Sequence, residues 1–143
     1  MFKILIAEDD NELRTLFERV LTKNGYTTIG VSNGQEALDY LNRDYVDLVI
    51  SDIMMPGMDG YALARHIRDI SPLMPILMIT AKGDFDDISL GFTSGADDYM
   101  VKPINVNEMV LRVKALLRRA EMNSERKQKI GETLMECDSL TVT

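Results

Sequence analysis

Three apolar runs in this chain are unbroken rather than alternating: Ile4-Leu5-Ile6-Ala7, Leu48-Val49-Ile50 and Ile76-Leu77-Met78-Ile79. A strand with one face in water alternates apolar and polar residues. A continuous run therefore marks a strand covered on both faces, as in a parallel sheet sandwiched between helices. Between the runs the spacing changes to that of a helix. Leu13, Leu16, Phe17, Val20 and Leu21 share one helical face, as do Ala37, Leu38 and Leu41, then Leu63, Ile67 and Ile70, and finally Met109, Val110, Val113, Leu116 and Leu117. Strands are expected over 3–7, 26–31, 46–51, 75–79 and 97–101, the second of them more polar, as an edge strand would be. A fourth helix over 84–94 is the weakest of the expected elements, because Gly91 interrupts it and its apolar face is thin. Asp10 or Asn11 caps the first helix and Asn24-Gly25 stops it. Ser32 to Glu36, and Asn105 with Glu108, have the spacing of capping boxes. Alternating strands and helices give an α/β, doubly wound fold.

The strand ends carry the chemistry. The first run delivers Glu8-Asp9-Asp10, and the third strand ends on Asp52. Parallel strands point their carboxyl ends the same way, and ligands of such sheets bind in the crevice beyond those ends. Two carboxylates about 4 Å apart repel by about 4 kcal/mol at an effective dielectric near 20. Such a cluster persists when a cation sits in it, and oxygen-only ligation points to Mg²⁺. Strand four ends at Thr80-Ala81, and Lys102-Pro103 follows strand five. Carboxylates for a cation, one to spare as nucleophile, a hydroxyl and a fixed positive charge suit phosphoryl transfer, where positioning and charge neutralisation supply most of the rate.

Charge and length exclude several other roles. A chain of 143 residues holds one domain with a real core and a short extra piece. A net charge of −7 argues against nucleic-acid binding by this portion. The single cysteine, Cys137, cannot form an internal disulfide and suits a reducing compartment. No apolar stretch reaches the ~20 residues that span a bilayer, and Met1-Phe2-Lys3 leads into a strand rather than a signal peptide. A soluble, cytoplasmic protein is expected, without membrane association. His66, the one histidine, reads as a surface residue on the third helix, and the ten methionines as gap-filling core and loop residues.

In combination, Glu8-Asp9, Asp52 with Met55-Pro56-Gly57-Met58-Asp59-Gly60, Thr80-Ala81, and Gly95-Ala96-Asp97-Asp98-Tyr99 with Lys102-Pro103 resemble the receiver domain of a two-component response regulator over residues 1–121. The resemblance implies a flavodoxin-like, CheY-like (βα)5 sheet of strand order 2-1-3-4-5 and a cis Lys102-Pro103 bond. It implies that Asp52 accepts a phosphoryl group from a sensor histidine kinase. Glu8, Asp9, Asp52 and the backbone carbonyl of Met54 would hold Mg²⁺, while Asp10 caps the first helix. Thr80 and Lys102 would bind the phosphoryl group, and Tyr99 would move inward with Thr80 as a switch, although an aromatic in a strand also reads as plain packing. The protein would be a phosphoacceptor signalling protein rather than an enzyme.

The tail after residue 121 resembles the OmpR/PhoB-type subfamily. A polar linker is expected over 122–129, and 130–143 reads as the first strands of a truncated winged-helix DNA-binding domain, so that DNA would be bound outside this portion. The subfamily pairs two receivers through the fourth helix, fifth strand and fifth helix. Ile88, Asp97, Asp98, Glu108, Arg112 and Arg119 would form that face, with Ile88 standing where the subfamily usually has a basic residue. Met54, apolar and two residues past the acceptor, and Lys82, two past Thr80, point to a moderately long phosphoryl lifetime.

Three rival chemistries fit less well. An aspartyl-phosphate hydrolase of the haloacid-dehalogenase type wants an aspartate two residues after its nucleophile, where this chain has Met54. A flavin module wants a Ser/Thr/Gly-rich loop after strand one, and a P-loop wants Gly-Lys-Ser or Gly-Lys-Thr; neither occurs.

Overall fold

The computed structural model of the chain describes residues 2–81 and 95–136, with side chains through Met122. Strands β1 (Lys3–Ala7), β2 (Thr27–Val31), β3 (Leu48–Asp52), β4 (Ile76–Thr80) and β5 (Asp98–Val101) form one sheet in the order β2-β1-β3-β4-β5, all pairs parallel. The helices among the described residues are α1 (Asn11–Lys23), α2 (Gly34–Arg43), α3 (Gly60–Ile70) and α4 (Val106–Glu136). The helical pattern expected over 84–94, with Ile88, and the residues Lys82 and Cys137 lie outside the described residues.

Side-chain alternation along the central strands divides the core into two layers. Leu5, Val49, Ile76 and Met78 face one way, against Leu38, Leu63 and Ile67 of α2 and α3. Ile4, Ile6, Ile50, Leu77 and Ile79 face the other way, against Phe17 and Leu21 of α1 and Met109 and Val113 of α4. Both faces of β3 and β4 are buried along their whole length, which is why these runs are unbroken in apolar character until Ser51, Asp52 and Thr80. The edge strand β2 is only partly covered and keeps its polar residues.

Local chemistry sets the helix starts. Asp10 caps α1 by accepting from the N–H groups of Glu12 (3.0 Å) and Leu13 (3.2 Å). Asn33 caps α2, and Glu36 reaches back to the N–H and hydroxyl of Ser32 at 2.8 and 2.9 Å. Asp59 caps α3 through the N–H of Ala62 at 2.9 Å. Asn105 accepts from the N–H groups of Asn107 and Glu108, while the Glu108 carboxylate, expected to complete the box, pairs with Arg112.

The chain after residue 121 departs from expectation. Residues 122–129 are helical rather than a linker, and 130–136 continue the same helix to Glu136 rather than forming a strand. The physical reason is propensity. Glu, Arg, Lys and Gln are among the better helix formers, no proline interrupts the run, and a charged stretch without apolar period fits a helix as well as a linker. Residues 137–143 lie outside the described residues. No helix among the described residues is long and apolar enough to cross a membrane.

Candidate functional site

Parallel register brings four strand ends together. Ala7 pairs with Ser51, Asp52 with Ile79, and Thr80 with Val101. Glu8, Asp52, Thr80 and Lys102 therefore emerge side by side at the carboxyl edge of the sheet. Glu8, Asp52 and Thr80 are buried, and Asp9 stands exposed at the mouth. Carboxylate oxygens of Glu8, Asp9 and Asp52 lie within 4.8 Å of one another. Lys102 Nζ donates to Asp52 Oδ2 at 2.7 Å and lies 4.0 Å from Glu8 Oε1. Its backbone is held as well, since Lys102 N–H donates to the Thr80 carbonyl at 2.8 Å. The Lys102-Pro103 bond is cis.

Charge at this edge is unbalanced. Burial, the bond that a protonated Glu8 would make to Asp52 and the charge of Asp52 push the Glu8 carboxyl up to about 8, against the opposing pull of the Asp10 N–H and Lys102. Burial works against the Lys102 ammonium, but Asp52, Glu8 and Asp9 outweigh it and hold its pKa above the ordinary value. Among the described residues, Glu8 Oε1 is buried without a hydrogen-bond partner. Such an orphan costs about 1–3 kcal/mol, more for a charged group. A proton shared with Asp52 or a divalent cation would satisfy it. Three converging carboxylates, one of them orphaned, fit a small hard cation such as Mg²⁺.

The remaining expected residues are distributed as follows. Met54 N–H donates to Asp52 Oδ1 at 3.2 Å, and its side chain is 71% exposed. Tyr99 is buried in the core layer under α3, where its ring packs. Asp97 is engaged within the chain: its Oδ2 accepts from Arg68 at 2.6 Å and from the N–H of Ile76 at 2.8 Å. Arg112 is likewise occupied, donating to both oxygens of Asp98 at 2.8 and 2.9 Å and to Glu108 at 2.8 and 3.0 Å. Arg119 is exposed on α4.

Two more positions touch this edge: Arg14, which no sequence pattern singled out, and Gly60, the last residue of the turn motif after β3. Arg14 donates to the Glu8 carbonyl at 2.7 Å. Gly60 opens α3 directly against the acid-bearing strand: a Cβ there would lie 2.6 Å from the Asp52 carbonyl oxygen and 2.8 Å from Ile53 Cα. Because the obstacle is backbone, either α3 or the Asp52 peptide must move. Gly60→Ala should cost about 1–3 kcal/mol, as other overpacked sites do, and a urea transition measures it.

The sequence profile described as the response regulator receiver domain matches residues 4–114. The chain belongs to the response-regulator receiver-domain family. Over all 143 of its residues it is 37% identical to the transcriptional regulatory protein AfsQ1 of Streptomyces coelicolor, covering 63% of that protein. It is 42% identical over 120 residues (84% of the chain) to the alkaline phosphatase synthesis transcriptional regulatory protein PhoP of Bacillus subtilis, covering 50% of it. The receiver thus spans between about half and two thirds of the curated relatives it matches. The structure of a two-component response regulator from Clostridium difficile superimposes with a TM-score of 0.79 at 30% identity, covering 83% of this chain and 98% of that one. The family and the strand order are those expected from the strand-end residues, and relatives that regulate transcription agree with the OmpR/PhoB type.

Proposed function

We propose that this receiver takes a phosphoryl group on Asp52 from the phosphohistidine of a sensor kinase, in a reaction that requires Mg²⁺. One observation carries the reading: a buried carboxylate at a strand end, 2.7 Å from a lysine ammonium and within 4.8 Å of two further acids. Glu8, Asp9, Asp52 and the Met54 carbonyl would hold the ion. When bound, Mg²⁺ supplies positive charge that offsets the acids and the incoming phosphoryl oxygens.

The residues of the chain do the rest. Lys102 and the Met54 N–H orient the Asp52 carboxylate, each holding one oxygen. An Asp52 oxygen attacks phosphorus in line, the P–N bond of the donor breaks, and its electron pair returns to the imidazole. Lys102 then pairs with a phosphoryl oxygen and Thr80 donates its hydroxyl to another. The added charge is about −1.5 to −2, enough to bias a loop and helix with two nearly equal packings; Tyr99, beside Met78 in the register, would follow Thr80.

The output reading is that the whole protein controls transcription through a winged-helix DNA-binding domain after this receiver. AfsQ1, matched over the full 143 residues, supports continuation beyond residue 121. Receivers would pair through β5, α4 and the segment around Ile88. Because Arg112 is already engaged by Asp98 and Glu108, pairing would exchange bonds within the chain for bonds between chains. Exposed ion pairs are worth only about 0–1 kcal/mol each, so that exchange is nearly balanced.

Mass spectrometry after incubation with Mg²⁺ and a small phosphodonor tests the proposal. One phosphoryl group should be added and retained for minutes or longer, because Met54 offers no polar side-chain atom to orient an attacking water. Continuous turnover of donor without an accumulating adduct would favour the hydrolase reading, and loss within seconds would refute the role given to Met54.

A further inference from the structure

Arg14 lies half-buried in the first turns of α1, one wall away from the acids. Its Nη1 donates to the Glu8 carbonyl at 2.7 Å, and its Nη2 donates to Asn11 Oδ1. The other side of the Glu8 residue is fixed independently. Glu8 N–H donates to the Val31 carbonyl at 3.0 Å, and Glu8 Oε2 accepts from the Asp10 N–H at 3.0 Å. The carbonyl of the peptide that follows Glu8, from which Asp9 leaves the strand, accepts its bond from Arg14. A charge-assisted hydrogen bond is shorter and stronger than a neutral one, and the guanidinium fork binds two acceptors in one plane.

The surroundings hold the guanidinium in place. Gly30 of β2 leaves room for the arginine stem: a Cβ there would lie 3.1 Å from Arg14 Cδ and collide with the Glu18 carboxylate. Glu36 is close enough for Arg14 to stabilise its charge, and Glu36 is itself fixed by the Ser32 N–H and hydroxyl. The arginine is thus bonded to Asn11, with the Glu36 charge nearby, while it donates to the carbonyl between Glu8 and Asp9.

We propose that Arg14 is a positioning residue for the cation site, preorganising Glu8 and Asp9 by clamping the carbonyl between them. The proposal rests on the reading of Glu8, Asp9 and Asp52 as a Mg²⁺ site. Outer partners of metal ligands typically change affinity by about 10–100-fold when removed. Arg14→Ala should therefore weaken Mg²⁺ binding by about tenfold or more, measured by titration calorimetry on the full chain. Arg14→Lys, which reaches one acceptor rather than two, should recover part of the loss. Gly30→Ala, which crowds the stem and leaves the charge intact, should shift affinity the same way by less.

A second readout separates positioning from mere stability. In phosphorylation by a small donor, the Mg²⁺ concentration giving half the maximal rate should rise in Arg14→Ala, while the rate at saturating Mg²⁺ stays near the parent's. Unchanged Mg²⁺ affinity in Arg14→Ala, with a lowered urea midpoint in EDTA, would overturn the proposal and leave Arg14 a structural residue. If Arg14→Ala does not fold, the affinities of Arg14→Lys and Gly30→Ala decide alone, and parental values in both overturn it. Absence of Mg²⁺ binding by the parent chain would overturn the site reading itself, a result distinguishable from normal binding that is insensitive to Arg14.

Discussion

Asp52→Asn should fold as the parent does and carry no acid-labile phosphoryl group. The change is isosteric, and the amide oxygen can still accept from Lys102 Nζ, which lies 2.7 Å from Asp52 Oδ2. The surrounding strand is apolar and fully buried on both faces, so the fold does not depend on this carboxylate. The amide is neither a nucleophile for phosphorus nor an anionic ligand. Labelling should fall to background, and Mg²⁺ affinity should fall with it, since one of three convergent carboxylates is gone. Mass spectrometry at neutral pH and after an acid pulse reads the first effect, and calorimetry the second. Labelling at parental stoichiometry in Asp52→Asn would place the phosphoacceptor elsewhere, with Asp9 the next carboxylate to test.

Much of the fold was legible because burial on both faces leaves a mark that composition alone does not. Residues 4–7, 48–50 and 76–79 could only be interior strands, and acids at the ends of two of them located the crevice. Lys102 was legible from its place just past the fifth strand. What stayed hidden depends on contacts distant in sequence or on residues whose type is ambiguous. Asp97 was expected on the pairing face beside Asp98; its bonds to Arg68, 29 residues earlier, and to the N–H of Ile76 at the start of β4 carry no sequence signal. Arg14 sits on the polar side of an amphipathic stripe, where a charged residue ordinarily means solvent. The end of α4 was misread because a charged run with no apolar period carries no signal that separates a solvated helix from a linker.

The metal-free receiver should lose stability as pH rises from about 5 to about 8, the reverse of what paired carboxylates produce. The sign follows from Glu8, whose folded-state pKa stands at about 8 against an ordinary 4.5. Between those values the folded chain keeps a proton that the unfolded chain has released. Stability therefore falls with pH across that window and levels off above it. A tenfold difference in proton affinity between the two states is worth about 1.4 kcal/mol. Solvent at the open mouth of the crevice screens part of that, so the decline is on the order of a few kcal/mol. Carboxylates lowered by partners act elsewhere: Asp44, held down to about 2 by Lys3, the Tyr45 N–H and Tyr40, contributes stability that is complete above its ordinary value and lost only in acid. Urea midpoints in EDTA at pH 5.5 and 8.5 isolate the Glu8 effect. Glu8→Gln, which cannot titrate, should flatten the profile. Mg²⁺ added at pH 8.5 should restore stability by mass action, about 2.7 kcal/mol at a hundred times its dissociation constant. The same ion should do little at pH 5.5, where it must first displace the Glu8 proton. A midpoint that rises with pH in EDTA, or an equal response to Mg²⁺ at both pH values, would show that Glu8 is already ionised in the metal-free site.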